Sequence, residues 1–332
     1  MRVPEPRGPV SSAVAERLRG AGAAAWPTVP DAVLDDEDCQ LALWMLFELH
    51  FRGFDDADTD LEWDPDLIAL RGDLEARMEA ELRAATRGVV DGAPDSGDLA
   101  EDLFAFIGAD DAPSVASYLH RHATAEQVRE YLRDKSVYAL KESDAHSFVL
   151  GRLDGPAKAA LAEIQYDEYG SGRPESLHST LYAQTLEAAG LDPTYGAYLH
   201  EMPVETLAVN NLHPLLAMRR RLRGASMGQM ATFEATSSSP CRRIAAGIER
   251  VGLPAEAAVY FHEHVEADAV HEQVALRDVC AGLVQADPSL REDVLFGAAA
   301  CLHLDGVWAR RILARWGALP AFASTTSVQV AS

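Results

Sequence analysis

Apolar residues recur along this chain three and four positions apart and almost nowhere in strict alternation, a pattern that predicts helices and no sheet. Residues 1–30 read as an arm with one short amphipathic piece around Ala13 to Leu18. From Asp35, DDEDCQLALWMLFELHFRGF predicts a helix with an acidic first turn, and a second follows from Pro65 to about Thr86. These two form a helical hairpin over 31–90, and the turn-rich stretch RGVVDGAPDSGD separates it from the rest. Short helices are expected over 99–107 and 113–122. A longer helix starts after the capping residue Thr124 and runs through EQVREYLRDKSVYALKESD. Others are expected from Ala157 to about Tyr169, from His178 to Ala189, and over 204–222, 224–236, 240–251, 255–285 and 289–316. The fold class is therefore all-α, with a main body over 98–320 and a tail at 321–332.

Charge narrows the partners. With 29 basic and 52 acidic residues the net charge is −23, which repels nucleic acid and anionic lipid. No apolar run reaches the roughly 18 residues of a membrane span, and the N-terminal stretch carries no cleavage signal, so a cytoplasmic protein is expected. The four cysteines Cys39, Cys241, Cys280 and Cys301 are far apart, which suggests neither a zinc ribbon nor a disulfide framework.

The candidate chemistry centres on His264, Asp268 and His271. At 100° per residue these fall within about 60° of one another on a helix. Phe261, Val265 and Val274 share that side, so the stripe points inward, where a polar cluster must be satisfied. A metal ion would satisfy it, and so would a buried hydrogen-bond network. Four more groups sit on apolar stripes of other segments: Glu142 with Val128, Tyr131 and Tyr138; Glu168 with Leu161 and Ile164; Glu234 with Met227, Met230 and Ala231; and His178 with Leu181 and Tyr182. Singly, each is more commonly a boundary or core residue. Together they make a carboxylate-rich set with imidazoles, suited to iron or manganese, and its charge would roughly neutralise two divalent ions. Glu48 and His50 point to different sides of their helix and are expected to pack. Tyr138, His146, Tyr166, Met230 and Phe233 are candidates for a substrate-facing wall.

The stretches RDKSVYALKESDAHSF, EIQYDEYGSGRPESLHSTLYAQTLEAAGLD, ASMGQMATFEATSS and FHEHVEADAVHE resemble the heme-oxygenase-like diiron oxidases and oxygenases, the iron-containing redox enzymes, over about 100–320. That resemblance implies a seven-helix heme-oxygenase-like bundle, with the N-terminal hairpin as an addition. Glu142, His178, Glu234, His264, Asp268 and His271 would be the ligands of two Fe(II) ions. Glu168, ten residues before His178, matches the extra carboxylate of some members. The loop GSGRPES lengthens that interval relative to other branches. The implied activity is reduction of O₂ to a bridging peroxide that oxidises a small organic substrate, by N-oxygenation of an amine or, alternatively, by oxidative C–C cleavage or decarboxylation. An external electron donor and a homodimer are compatible with it. A non-redox binding bundle and a heme oxygenase are the competing readings.

Overall fold

The computed structural model describes residues 1–21 and 26–319, and of 266–269 the backbone alone. Every regular element among the described residues is helical. The principal helices are α1 (Pro9–Leu18), α2 (Glu37–Glu48), α3 (Pro65–Asp91), α4 (Leu99–Gly108), α5 (Val115–Arg121), α6 (Ala125–Ala139), α7 (Ser147–Leu150), α8 (Gly155–Glu168), α9 (His178–Ala188), α10 (Val204–Ala217), α11 (Arg223–Ala235), α12 (Ser238–Arg250), α13 (Val259–Gln273), α14 (Ala281–Ala286) and α15 (Arg291–Arg315). Local chemistry explains several boundaries. Thr124 and Gln127 form a reciprocal capping box that opens α6, and Asp36 caps α2 through the Cys39 amide.

Three apolar clusters fill the interior. The first joins α1, α2 and α3 to α10 and α15, through Val14, Leu18, Trp44, Phe47, Leu74, Leu212 and Phe296. Ten of the twelve residues of α2 are buried, so this helix is enclosed on all sides. Each Leu or Phe withdrawn from water there contributes roughly 1.5–3 kcal/mol. The N-terminal hairpin is thus packed onto the bundle, and the segment read as an arm contains a helix that shares its core. The second cluster joins α5, α6, α9 and α12 to the start of α13 and the end of α15. The third joins α4, α8, α11 and α14.

α11 and α15 approach unusually closely, and two glycines permit it. A Cβ on Gly228 would lie 1.9 Å from the Val294 carbonyl oxygen, and one on Gly297 would lie 1.8 Å from that of Ala225. No side chain fits at either position.

Three helices differ from expectation. The segment expected to continue as one helix through Glu142 ends at Ala139, and Ser143 adopts a left-handed conformation with φ 63°. Glu142 therefore stands in a turn, off the stripe of Val128 and Tyr131. The helix expected over 255–285 is a 3₁₀ turn, then α13, then a π-helical turn at Val274–Cys280, then α14. A wider turn of this kind rotates the faces of α14 relative to those of α13. The predicted 204–222 helix ends at Ala217, followed by a 3₁₀ turn at Arg220–Leu222.

Candidate metal centre

Six of the seven sequence-predicted positions converge, from five segments, where the second and third apolar clusters meet. Glu142 comes from the turn after α6, Glu168 is the last residue of α8, and His178 is the first of α9. Glu234 lies near the end of α11, and His264 and His271 lie two turns apart on α13. All six are buried. Asp268 belongs to the same helix, but its side chain lies outside the described residues.

Their ligand atoms form two groups. One donor atom each from Glu142, Glu168, His178 and His264 lies within 4.8 Å of the others, and the same holds for Glu168, Glu234 and His271. Glu168 belongs to both. Its Oε2 is 3.1 Å from His178 Nδ1, and its Oε1 is 3.8 Å from His271 Nδ1. The two carboxylate oxygens thus face opposite halves of the site, as a bridging ligand would.

Neighbours orient these side chains. His264 Nδ1 donates to the Tyr260 carbonyl at 2.8 Å, which places its Nε2 on the site side, 3.6 Å from Glu142 Oε1. His271 Nε2 donates to Asp167 at 3.3 Å, turning Nδ1 toward Glu168 and toward Glu234, 3.5 Å away. The Tyr260 carbonyl, an acceptor only, fixes Nδ1 of His264 as a donor, whereas both nitrogens of His271 face carboxylates and both are protonated in the metal-free chain. The Tyr260 hydroxyl donates to Glu142 Oε1 at 2.6 Å, and Ser143 Oγ donates to Glu168 Oε2 at 2.9 Å. Such supports fix ring orientation and carboxylate position in metal sites. Sequence reading missed Tyr260, Ser143 and Asp167. Tyr260 stands one turn before His264, and Ser143 and Asp167 adjoin predicted ligands, so spacing offered a signal for all three.

Electrostatically the site is short of cations. Burial by itself pushes Glu168 up, but His178, His264 and His271 outweigh it and hold the carboxylate at about 2. Burial would lower His271, yet Glu234 and Glu168 raise it to about 9. His178 is raised against burial by Glu168, while burial raises Glu234. In the metal-free chain, protons on imidazole therefore balance the acids. Glu142 Oε2 is buried without a hydrogen-bond partner, and His178 Nδ1 lacks in-line geometry to either nearby carboxylate. Buried polar atoms are normally satisfied. An oxygen-rich set with imidazoles and such an orphaned oxygen fits iron.

A cavity of about 290 Å³ opens onto Glu142 and His264. Of the expected substrate-facing residues, Tyr138 and Phe233 line it. The others do not. His146 is turned to Gln229 at 3.3 Å, Met230 is fully buried in the third cluster, and Tyr166 is 58% exposed. Glu48 and His50 pack as expected, Glu48 on Lys141 and His50 on Glu62.

No helix among the described residues is long and apolar enough to cross a membrane. The family model for iron-containing redox enzymes matches residues 129–306, more than half of the chain, and that span includes all seven predicted positions. The nitrosourea synthase of Streptomyces achromogenes subsp. streptozoticus is 30% identical over 132 residues, which are 40% of this chain and 28% of that protein. The chain thus matches little more than a quarter of that relative's length. With an all-helical bundle, a buried carboxylate–histidine cluster and a family match over most of the site-bearing region, the chain belongs to the iron-containing redox enzyme family and has its heme-oxygenase-like fold.

Proposed function

We propose that the chain is a non-heme diiron oxidoreductase that uses O₂ to oxidise a small organic substrate. The observation that carries this reading is the position of Glu168, whose two oxygens serve two adjacent groups of donor atoms. Glu142, Glu168, His178 and His264 would hold one iron, and Glu168, Glu234 and His271 the other, with Asp268 on the same helix as a further ligand. Bound iron would supply the electrons and the coordination positions for O₂ chemistry.

The chain's own residues would do the rest. Tyr260 and Ser143 hold Glu142 and Glu168 in place, and Tyr260 and Asp167 set the ring orientation of His264 and His271. The aromatic side chains Tyr138, Phe233 and Phe261 limit water beside Glu142 and His264, so that the substrate meets the site in a largely apolar space. Within this class N-oxygenation of an amine is favoured, because the name of the similar nitrosourea synthase denotes nitrogen chemistry and Glu168 takes part in the site.

Anaerobic Fe(II) titration of the full chain, followed by O₂ uptake with a panel of amines, tests the proposal. About two iron per chain and amine-stimulated O₂ consumption with N-oxygenated product are expected. Iron well below that stoichiometry rules out the diiron reading. Release of CO₂ or of a carbon fragment in place of N-oxygenated product would assign the chemistry to decarboxylation or C–C cleavage.

A further inference from the structure

The cavity that leads to Glu142 and His264 has a polar feature at a distance from them. Tyr131, Lys135 and Tyr138 are spaced i, i+4, i+7 along α6, and all three line it. Lys135 is the one lysine or arginine in that lining, opposite Trp308 and Asp305 of α15. Its Nζ lies 3.9 Å from the centre of the Trp308 ring. It makes no hydrogen bond or ion pair among the described residues, in a chain of net charge −23 where acidic partners are plentiful.

The ring face satisfies the ammonium on one side only, and because Lys135 is half-buried, water is the remaining partner of its N–H donors until a ligand replaces it. Asp305 does not close the gap. Its Oδ2 accepts from the Cys301 thiol at 3.7 Å, and burial raises its pKa, with Lys135 pulling the other way. The cation is thus available to something that enters the cavity. Tyr131, Phe261 and Trp308 supply apolar surface between. A single lysine beside the acids Asp110, Asp305 and Glu142 suits a monoanion and not a doubly charged phosphate. Lys135 lies on α6 and Glu142 in the turn that follows it, so the ligand reaches from the helix face to that turn within a cavity of about 290 Å³.

We propose that this cavity takes a substrate carrying a carboxylate on an apolar body, and that Lys135 is the side chain that holds the carboxylate. The proposal rests on the reading of the adjoining cluster as the oxidising centre. It assigns Lys135 as a specificity residue and directs the far end of the substrate to Glu142 and His264.

Calorimetric titration of the full metal-free chain with 4-phenylbutanoate, 4-phenylbutan-1-ol and 4-phenylbutylamine tests it, since without metal the acid cannot bind to iron. The acid is expected to bind more tightly than the alcohol by about tenfold or more. Lys135→Met should abolish that preference while leaving the affinity for the alcohol unchanged, and Lys135→Arg should retain it. Lys135→Gln replaces Lys135→Met should the latter not fold. The proposal fails if acid and alcohol bind equally to the wild-type chain, if the amine binds best, if none of the three binds at millimolar concentration, or if the preference survives loss of the lysine. Iron stoichiometry is measured separately: a retained acid preference with no iron uptake would sink the oxidase reading and leave the carboxylate site standing.

Discussion

The carboxylates buried around the N-terminal helices and those buried at the centre of the bundle are balanced differently. Around the N-terminal helices each buried acid meets a basic side chain. Glu48 accepts from Lys141 Nζ at 2.9 Å and from the Tyr195 hydroxyl at 2.8 Å. Glu75 pairs with Arg71 at 3.1 Å and also with Arg219, while Glu79 pairs with Arg83 at 2.9 Å and also with Arg221. At the centre of the bundle, Glu142, Glu168 and Glu234 have no lysine or arginine bridge among the described residues, only imidazoles and hydroxyls. A buried charge needs a compensating charge. Where lysine or arginine supplies it, the cluster is closed and structural. Where histidine is the only base, the compensation in the metal-free chain is a proton on imidazole, which a metal ion can displace.

The sharpest way to break this contrast is Glu168→Ala. On the proposed reading Glu168 is shared between the two irons, so its loss should remove both, whereas Glu234→Ala should remove only one. Metal analysis after anaerobic loading reads this directly, and equal losses in the two variants would refute a bridging role. Next in size is Lys141→Met, which leaves Glu48 buried without its cation and should cost about 3–5 kcal/mol in denaturant unfolding. Its iron content should be unchanged, because Lys141 belongs to the closed region. Tyr260→Phe should be milder. Losing the donor to Glu142 should weaken iron binding by roughly 10–100-fold, seen by competition with a chelator, with little effect on metal-free stability.

The smallest effect concerns protons. His271 is raised to about 9 in the metal-free chain, so its protonated form supports the fold fully below the ordinary histidine range and is lost as pH rises through that value. On the proposed reading His271 is a ligand, and loading iron at pH 7 displaces that proton. Calorimetric titrations in two buffers of different ionisation enthalpy should therefore show net proton release, diminishing as pH approaches 9. Equal heats in the two buffers would contradict it.

Helical periodicity made the all-α class legible, because apolar spacing of three and four is a local property of the chain. The inward stripe of His264 and His271 was legible for the same reason: both lie on α13, and the wheel relates residues within one helix. Glu142 shows where that reasoning stops. The wheel put it on a stripe with Tyr131, but a left-handed Ser143 ends the regular geometry, and the carboxylate reaches the site from a turn. Tyr260 was overlooked because its importance lies in contacts to Glu142, 118 residues away in the chain.

By itself the sequence determined which residue types were buried along each helix, and hence that acids and imidazoles had to share an interior. Only the tertiary structure decided that Glu168, the most ambiguous member by spacing, stands between the two donor groups. Only it decided that the N-terminal helices are part of the bundle's core, and that Lys135 faces the same cavity as Glu142. The physical reason is common to all three. Periodicity fixes the face a side chain occupies on its own helix, whereas its neighbours are set by how helices cross, and that depends on contacts such as Gly228 against Val294 that bring distant segments together.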